Sequence, residues 1–443
     1  MLNIPKTSKK RIVIAGCGFA GLRLARKLKN SNYQVVIIDK YNFHQFQPLF
    51  YQVAIAGLEP SAISFPLRKI FQGFDDYFIR IAEVREIDAQ HNLISTSLGS
   101  IEYDYLVLAY GADTSYFGME NVRNNSFPMK SIAEAVSLRN QILQNFEDSL
   151  NVADEKAKEP FMNIVIVGGG PSGAELSGSL AEMRKYILPK DYPELDCEKI
   201  NIYLVEATGR LLGGMSQNSS EKAQKYLSGI LKVRVLLNTS VKNYKDGAVF
   251  LSDGSEIKSN LVIWTAGIKI NKIPGLSENI YAHANRIKTN TYNKVEEYDN
   301  IFAIGDIAYM PDEKYPKGHP QVAQVALQQA DNLANNFERL LTGTDLKEFR
   351  YKNLGSMATI GRNLAVVDLP RFSFDGSLAW FFWMFVHLMS IVGVKNRLLI
   401  FINWLWNYFT YDQSLRLIIN HKIDKKTVYN KKIAYKLEHT GLK

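Results

Sequence analysis

Two glycine clusters stand out for the chemistry their spacing permits. GCGFAG at 16–21 and GGGPSG at 168–173 set glycines at i, i+2 and i+5: Gly16, Gly18 and Gly21, then Gly168, Gly170 and Gly173. Each cluster follows a short apolar run and opens a helix-like one. In that setting the first glycine permits a tight turn, the second lets a pyrophosphate reach the backbone, and the third lets helix pack close to strand. The amides and positive end of the following helix then attract phosphate. Each cluster is answered by an acid at the end of the next apolar strand, Asp39 in YQVVIIDK and Glu206 in NIYLVE, suited to ribose hydroxyls. The chain thus carries two dinucleotide sites. A carboxylate repels a 2′-phosphate, so Glu206 favours NADH over NADPH; Arg210, four residues on, either softens that preference or is structural.

The elements that position these residues are duplicated. The second glycine cluster lies 152 residues after the first, and YDYLVLAYGA at 103–112 returns as NLVIWTAGI at 260–268, with Gly111 and Gly267 offset by 156. Turn glycines Gly99 and Gly254, offset by 155, punctuate a β-rich stretch in each half. Three landmarks at nearly one spacing indicate two copies of one domain. A further strand, YDNIFAIGDIA at 298–308, ends in Gly305 and Asp306 and opens towards another helix. With GxGxxG, the strand ending in AxG, and IGD together, residues 10–365 resemble the two-dinucleotide-binding-domain flavoproteins. The resemblance implies an α/β fold of two Rossmann-like domains, with FAD on the first and the NADH domain inserted within it. The expected boundaries are 1–118 and 293–370 for the FAD domain, 119–292 for the NADH domain, and 371–443 for a C-terminal helical anchor and basic tail. FAD would then meet Gly16, Gly18, Phe19, Ala20, Gly21, Asp39, Lys40, Gly111, Gly305 and Asp306; NADH would meet Gly168, Gly170, Gly173, Glu206, Ala266 and Gly267.

Composition narrows the electron acceptor. The only cysteines, Cys17 and Cys197, have no neighbouring partner in sequence, so they read as structural, and neither a disulfide framework nor a thiol relay is expected. Quinone, oxygen or another diffusible acceptor remains. The seven histidines are scattered without ligand spacing, and no metal is expected. The net charge of +9 points to an acidic partner, and seven lysines against Asp424 and Glu438 fall in residues 421–443. That tail either faces an anionic membrane or is merely solvated. No basic stripe interleaves with aromatics along the folded domains, which argues against nucleic acid.

Before the tail come two apolar runs, SLAWFFWMFVHLMSIV at 377–392 and LLIFINWLWNYFTY at 398–411, separated by Gly393 and Lys395–Asn396–Arg397. Each is shorter than the roughly 20 residues a spanning helix needs. Four of the five tryptophans lie here (Trp380, Trp383, Trp404, Trp406), a residue type that favours the headgroup boundary. An interfacial anchor on anionic lipid is expected; a transmembrane span, a dimer interface and buried core are the alternatives.

A closer resemblance rests on FHQFQPLFYQVAIAGL at 43–58, KSIAEAVSLRN at 130–140, VAQVALQQ at 322–329 and NRLLIFINWLWNYFTYD at 396–412. These segments resemble the type II NADH:quinone oxidoreductases, also called alternative NADH dehydrogenases. The resemblance implies a peripheral, non-proton-pumping respiratory enzyme with one FAD and a membrane quinone as substrate, commonly dimeric through its C-terminal region. Lack of a presequence favours the cytoplasmic face of a prokaryotic inner membrane. The family's Ala-Gln motif falls on Ala323 and Gln324, with Gln328 one turn later on the same helix face, suited to a quinone carbonyl and the flavin edge. Glu175, in GAEL, matches a glutamate near the flavin; it would relay protons, tune binding or simply answer a helix dipole. Val84 matches a position that touches the adenine side of FAD. His44 and the aromatic segment after it would wall the flavin, with no catalytic part for His44. The rival readings are a flavin-dependent NAD(P)H oxidoreductase serving oxygen or a soluble carrier, and a non-catalytic redox sensor at the membrane surface.

Overall fold

The computed structural model describes residues 1–412 and 415–419, so the lysine-rich end at 421–443 lies outside the described residues. Two parallel sheets organise the chain. The first begins with β1 (Lys10–Ala15), β2 (Tyr33–Asp39), β3 (Tyr77–Ile81) and β4 (Tyr105–Leu108). The second is made of β5 (Phe127–Pro128), β6 (Asn163–Val167), β7 (Asn201–Val205), β8 (Arg234–Leu236) and β9 (Leu261–Trp264), after which β10 (Ile301–Ala303) returns to the first sheet. Their orders, β10-β4-β1-β2-β3 and β5-β9-β6-β7-β8, are the same arrangement twice. IVIA in β1 and NIVIV in β6 are buried without alternation, as parallel strands covered on both faces must be.

The second sheet is inserted between strands of the first. An antiparallel pair, Asp113–Thr114 with Ile268–Lys269, carries the chain across and back, and β10 then pairs with β4. The boundaries differ from the expected ones. Ile270, Leu276, Ile280 and Ile287, assigned to 119–292, are buried in the core of the first domain with Val13, Val36 and Leu106. The return therefore begins near residue 270 rather than at 293. Apolar loop residues carry no local sign of which core they enter.

Seven helices position the site: α1 (Phe19–Lys27), α2 (Phe50–Ala54), α3 (Ile132–Leu150), α4 (Pro171–Tyr186), α5 (Ala323–Thr342), α6 (Ser377–Ser390) and α7 (Val394–Thr410). The segment KSIAEA starts α3 with a capping box, the Ser131 hydroxyl accepting from Glu134 N at 3.2 Å and the Glu134 carboxylate from Ser131 N at 2.9 Å. Ile132 N donates to Gln45 Oε1 at 2.7 Å, which ties this helix to the FHQF segment.

Between α5 and α6 lies an antiparallel sheet of β11 (Ser356–Gly361), β12 (Leu364–Asp368) and β13 (Ser373–Asp375). It packs on α4 of the second domain: a Cβ on Gly178 would collide with Ile360 O, and Ala358, Ile360 and Val366 share a core with Leu176 and Ile202. Residues 356–370 thus belong with the C-terminal helices, not with the FAD domain where 293–370 placed them.

Helices α6 and α7 are two-faced. Leu378, Phe381, Phe385 and Met389 on α6, and Leu398, Phe401, Ile402, Leu405 and Phe409 on α7, are exposed at helical spacing. On the opposite sides Trp383 and Ile400 are fully buried and Trp404 nearly so. No described helix is long and apolar enough to cross a membrane. The tryptophans divide accordingly. Trp406 is exposed, but Trp383 and Trp404 point inward, so only part of the expected aromatic belt faces outward. Lys395, Asn396 and Arg397 form the first turn of α7 rather than a break; Asn396 Nδ2 donates to Ala62 O at 3.0 Å and Arg397 Nε to Ile391 O at 2.8 Å.

Candidate active site

The two glycine clusters fold into matching cradles. Gly16 and Gly168 both take a left-handed φ, +101° and +110°, that a side chain resists. Cβ atoms on Gly21 and Gly173 would collide with the carbonyls of Gly16 and Gly168, while at Gly18 and Gly170 a Cβ would meet nothing within 4 Å. Each cradle therefore has a packed turn and an open wall at the N-terminus of a helix, the shape a pyrophosphate requires.

The acids close the correspondence. Asp39 accepts from Cys17 N at 2.6 Å and Tyr41 N at 2.8 Å; Glu206 accepts from Gly169 N at 2.6 Å and Thr208 N at 2.7 Å. Each carboxylate thus braces its own loop and keeps lone pairs for ribose hydroxyls. Burial raises the Asp39 carboxyl above its ordinary range, against the pull of those amides and of Lys40, which is exposed over the Tyr41 ring. Val84 follows β3 by three residues, just after Ala82, whose N–H donates to Asp39 O at the end of β2 at 2.9 Å. Gly111 and Gly267 are left-handed turns at matching strand ends, the latter under the Phe117 ring, and Ala266 abuts Gly168.

The first cradle has parts the second lacks. Gly305 follows β10 and lies against Ala20 of α1 and Ala326 of α5, so two helix N-termini converge beside Asp306. Gly305 N donates to the buried Gln329 at 2.7 Å, and Gln321 Nε2 donates to Asp306 O at 2.8 Å. Burial raises the Asp306 carboxyl while Lys130 and Arg286 pull it back. Gln329, one residue beyond the glutamine singled out in sequence, and Gln321 were missed; both are amides beside the IGD turn, a signal that spacing alone does not rank. Phe19 and His44 wall this cradle, their rings edge to face at 5.4 Å. His44 Nδ1 donates to Cys17 O at 3.1 Å, and burial pushes its pKa down to about 4, so it is neutral and no acid–base group near pH 7.

Gln324 and Gln328 share a face of α5, which starts at Ala323, and each amide bonds the backbone of residues 352–355. Gln324 bonds Gly355 O at 2.8 Å and Leu354 N at 3.0 Å; Gln328 bonds Lys352 O at 2.9 Å and Lys352 N at 3.0 Å. Both clamp the extended segment that leads into β11.

Glu175 is the titratable group with the most unusual setting. It is buried in the first turns of α4, and Thr359 N donates to it at 3.3 Å. Burial pushes its carboxyl from 4.5 up to about 8, with Thr359 and Trp383 offsetting part of the cost. The buried Trp383 indole N–H faces the Glu175 carboxyl without completing a well-formed hydrogen bond. Beside them a cavity of about 110 Å³ is lined by Tyr51, Ser179, Glu182, Thr359, Arg362, Trp383 and Trp404. Tyr51 and Gln52 come from the FYQVA segment of α2, and Trp404 Nε1 donates to Gln52 Oε1 at 2.8 Å, which seats α7 on that helix. His387 stacks on Trp383 at 4.0 Å and is kept neutral by burial, its pKa pushed down to about 4. Cys17 and Cys197 are free, buried thiols, and burial raises both.

Paired cradles, one domain threaded through the other, define a pyridine-nucleotide-dependent flavoprotein oxidoreductase. Residues 10–330 match the pyridine nucleotide-disulphide oxidoreductase family, and residues 353–410 match the NDH2 C-terminal domain, whose start again places the last boundary before 371. The chain belongs to the type II NADH:quinone oxidoreductases. It is 31% identical over 411 residues to a type II NADH:quinone oxidoreductase of Mycobacterium tuberculosis, covering 89% of this chain and 87% of that one. It is 29% identical over 436 residues to a mitochondrial internal alternative NAD(P)H-ubiquinone oxidoreductase of Arabidopsis thaliana, with 90% and 84% covered. The structure of NDH2 from Plasmodium falciparum in complex with NADH has the same fold, with a TM-score of 0.85 at 21% identity, covering 93% of this chain and all of that one.

Proposed function

We infer that this chain oxidises NADH with FAD as its prosthetic group and reduces a membrane quinone without pumping protons. The observation that carries the reading is the cavity beneath the inward faces of α6 and α7, lined by Thr359 and Trp383, the two residues that contact Glu175. There aromatic walls meet beneath helices whose outer faces are apolar and exposed, with the protonated Glu175 carboxyl just behind Thr359 and Trp383. That combination suits a lipid-soluble quinone and gives a soluble carrier no advantage.

The Gly16–Gly21 cradle, Asp39, Gly305 and Asp306 would hold FAD, and the Gly168–Gly173 cradle with Glu206, Ala266 and Gly267 would hold NADH. Bound FAD supplies the hydride acceptor for NADH and the two-electron donor for the quinone. The chain's own residues orient the two nucleotides by their pyrophosphates and riboses. They exclude water with Phe19, Phe46 and Trp383. Glu175, protonated at neutral pH, donates to a quinone oxygen. Gln324 and Gln328 serve by fixing residues 352–355, which set the start of β11 and so the Thr359 contact to Glu175.

The exposed stripes of α6 and α7 lie on the surface of an anionic bilayer, at the cytoplasmic face of the inner membrane, and the C-terminal region also joins two copies into a dimer. Anaerobic mixing of the purified protein with NADH tests the central claim: the yellow flavin bleaches rapidly and a short-chain quinone restores it. A colourless protein, or bleaching that oxygen reverses but quinone does not, overturns it. Cutting before Ser377 releases protein from membranes, and a fragment that still sediments with anionic vesicles rules out this anchor.

A further inference from the structure

Reducing a quinone to a quinol takes two electrons and two protons. NADH brings both electrons and one proton as hydride, so one proton per turnover comes from water. Glu175 is too deeply buried to collect it directly. The same helix offers a route. Ser179 and Glu182 stand four and seven residues beyond Glu175 on one face of α4, and both line the cavity. Seven residues of helix rise about 10 Å, too far for a single hop, so an intermediate carrier is required.

The second carboxylate occupies a built seat. Glu182 Oε1 accepts from Arg362 N at 2.5 Å in the turn after β11. A Cβ on Gly361 would stand 2.9 Å from the same oxygen. The strand that holds Glu175 through Thr359 N thus holds Glu182 through Arg362 N. The Arg362 guanidinium turns away to the end of α7: it donates to Tyr408 O at 3.0 Å and Asn407 O at 2.7 Å, and lies 3.4 Å from the centre of the Tyr411 ring. The charged and titratable groups around Glu182 are Arg362 from the turn, Lys185 from its own helix and Tyr51 from α2. Burial raises the Glu182 carboxyl, with Arg362 and Lys185 pulling it back. Glu182 is less buried than Glu175 and lines the cavity, which Glu175 does not.

We propose that Glu182 and Ser179 form a proton port that reloads Glu175 during quinone reduction, with Arg362 as the residue that positions Glu182 at the cavity mouth. This rests on the reading of Glu175 as the donor to quinone. In each cycle Glu175 gives its proton to the quinone oxygen and becomes a carboxylate. The Ser179 hydroxyl passes its proton to Glu175 and takes one from Glu182, and Glu182 recovers one from water. One proton enters, no electron moves along the port, and no bond other than O–H changes.

The test uses the full-length flavoprotein with NADH and a short-chain quinone. Glu182→Gln lowers quinone-linked kcat on the order of tenfold or more and enlarges its solvent deuterium isotope effect. The rate at which NADH bleaches the flavin stays at its wild-type value. Glu182→Asp restores most of the turnover, and Ser179→Ala reproduces the isotope effect, which keeps the test alive should Glu182→Gln fold poorly. Wild-type kcat and isotope effect in both Glu182→Gln and Ser179→Ala overturn the port. If the wild-type flavin bleaches but quinone does not reoxidise it, the functional reading has failed, a separate outcome.

Discussion

The two cradles were built to one plan and finished differently. In both, a left-handed glycine turns the chain, an open glycine wall faces the ligand, and a carboxylate at the end of the adjacent strand braces the loop. The first is then closed by β10, Gly305 and the start of α5, with Gln329 holding the turn. The second has no such addition: β5, a two-residue strand, occupies the equivalent edge. The difference suits the ligands. A cradle capped by a second helix N-terminus retains its dinucleotide through many turnovers, whereas one left open lets its dinucleotide exchange every cycle.

The largest test of that contrast is to spoil each turn separately. Gly16→Ala forces a methyl group into the Ala109–Tyr110 backbone at a strained φ, and the protein is expected to purify without flavin. The equivalent Gly168→Ala meets the Ala266 backbone at 2.9 Å, and it should keep its flavin yet bleach with NADH on the order of a hundredfold more slowly. If both variants lose the flavin, the cradles are not independent. A change outside both should disturb neither: Glu175→Gln keeps flavin and bleaching but slows reoxidation by quinone on the order of a hundredfold. In the wild type that second step should fall away above pH 8, as the carboxyl loses its proton. The stability sign follows. The folded state keeps a proton that the unfolded chain releases above about 4.5, so stability declines between there and about pH 8, and Glu175→Gln should flatten the decline in a pH series of melting curves.

Smaller effects probe the finishing parts. Gln329→Ala leaves the buried Gly305 N–H without an acceptor, costing about 1–3 kcal/mol. Flavin should dissociate about tenfold more readily in equilibrium dialysis, with the KM for NADH unmoved. Glu206→Gln should raise the KM for NADH only a few-fold and narrow its advantage over NADPH, without touching flavin retention. A shift in flavin affinity in that variant would break the assignment of ligands to cradles.

What was legible in the sequence follows the range of the forces involved. Gly16, Gly18 and Gly21 answer to backbone geometry within six residues, and Asp39 and Glu206 to the end of the next strand, so spacing identified them. Gln324 and Gln328 were placed on one helix face correctly, but periodicity does not say what lies opposite, and residues 352–355 occupy that place. The domain boundaries failed for a similar reason: Ile270 and Ile280 would be buried in either core. The tryptophans were partly decipherable, since Ala379–Trp383 and Ile400–Trp404 repeat at i+4 and mark the inward stripes of α6 and α7. Glu182 and Arg362 carried no local sign, because their meeting depends on a close approach between Gly178 and a strand far along the chain.

Threading one domain through the other also sets a timetable for synthesis. The edge strand that completes the first sheet is β10, and it leaves the ribosome only after every residue of the second domain. Until then the nascent first sheet exposes the β4 edge, and its nucleotide cradle lacks the Gly305 turn. Prosthetic-group capture is therefore a late event, and a chain cut short anywhere before residue 301 would emerge from translation unable to close around its flavin.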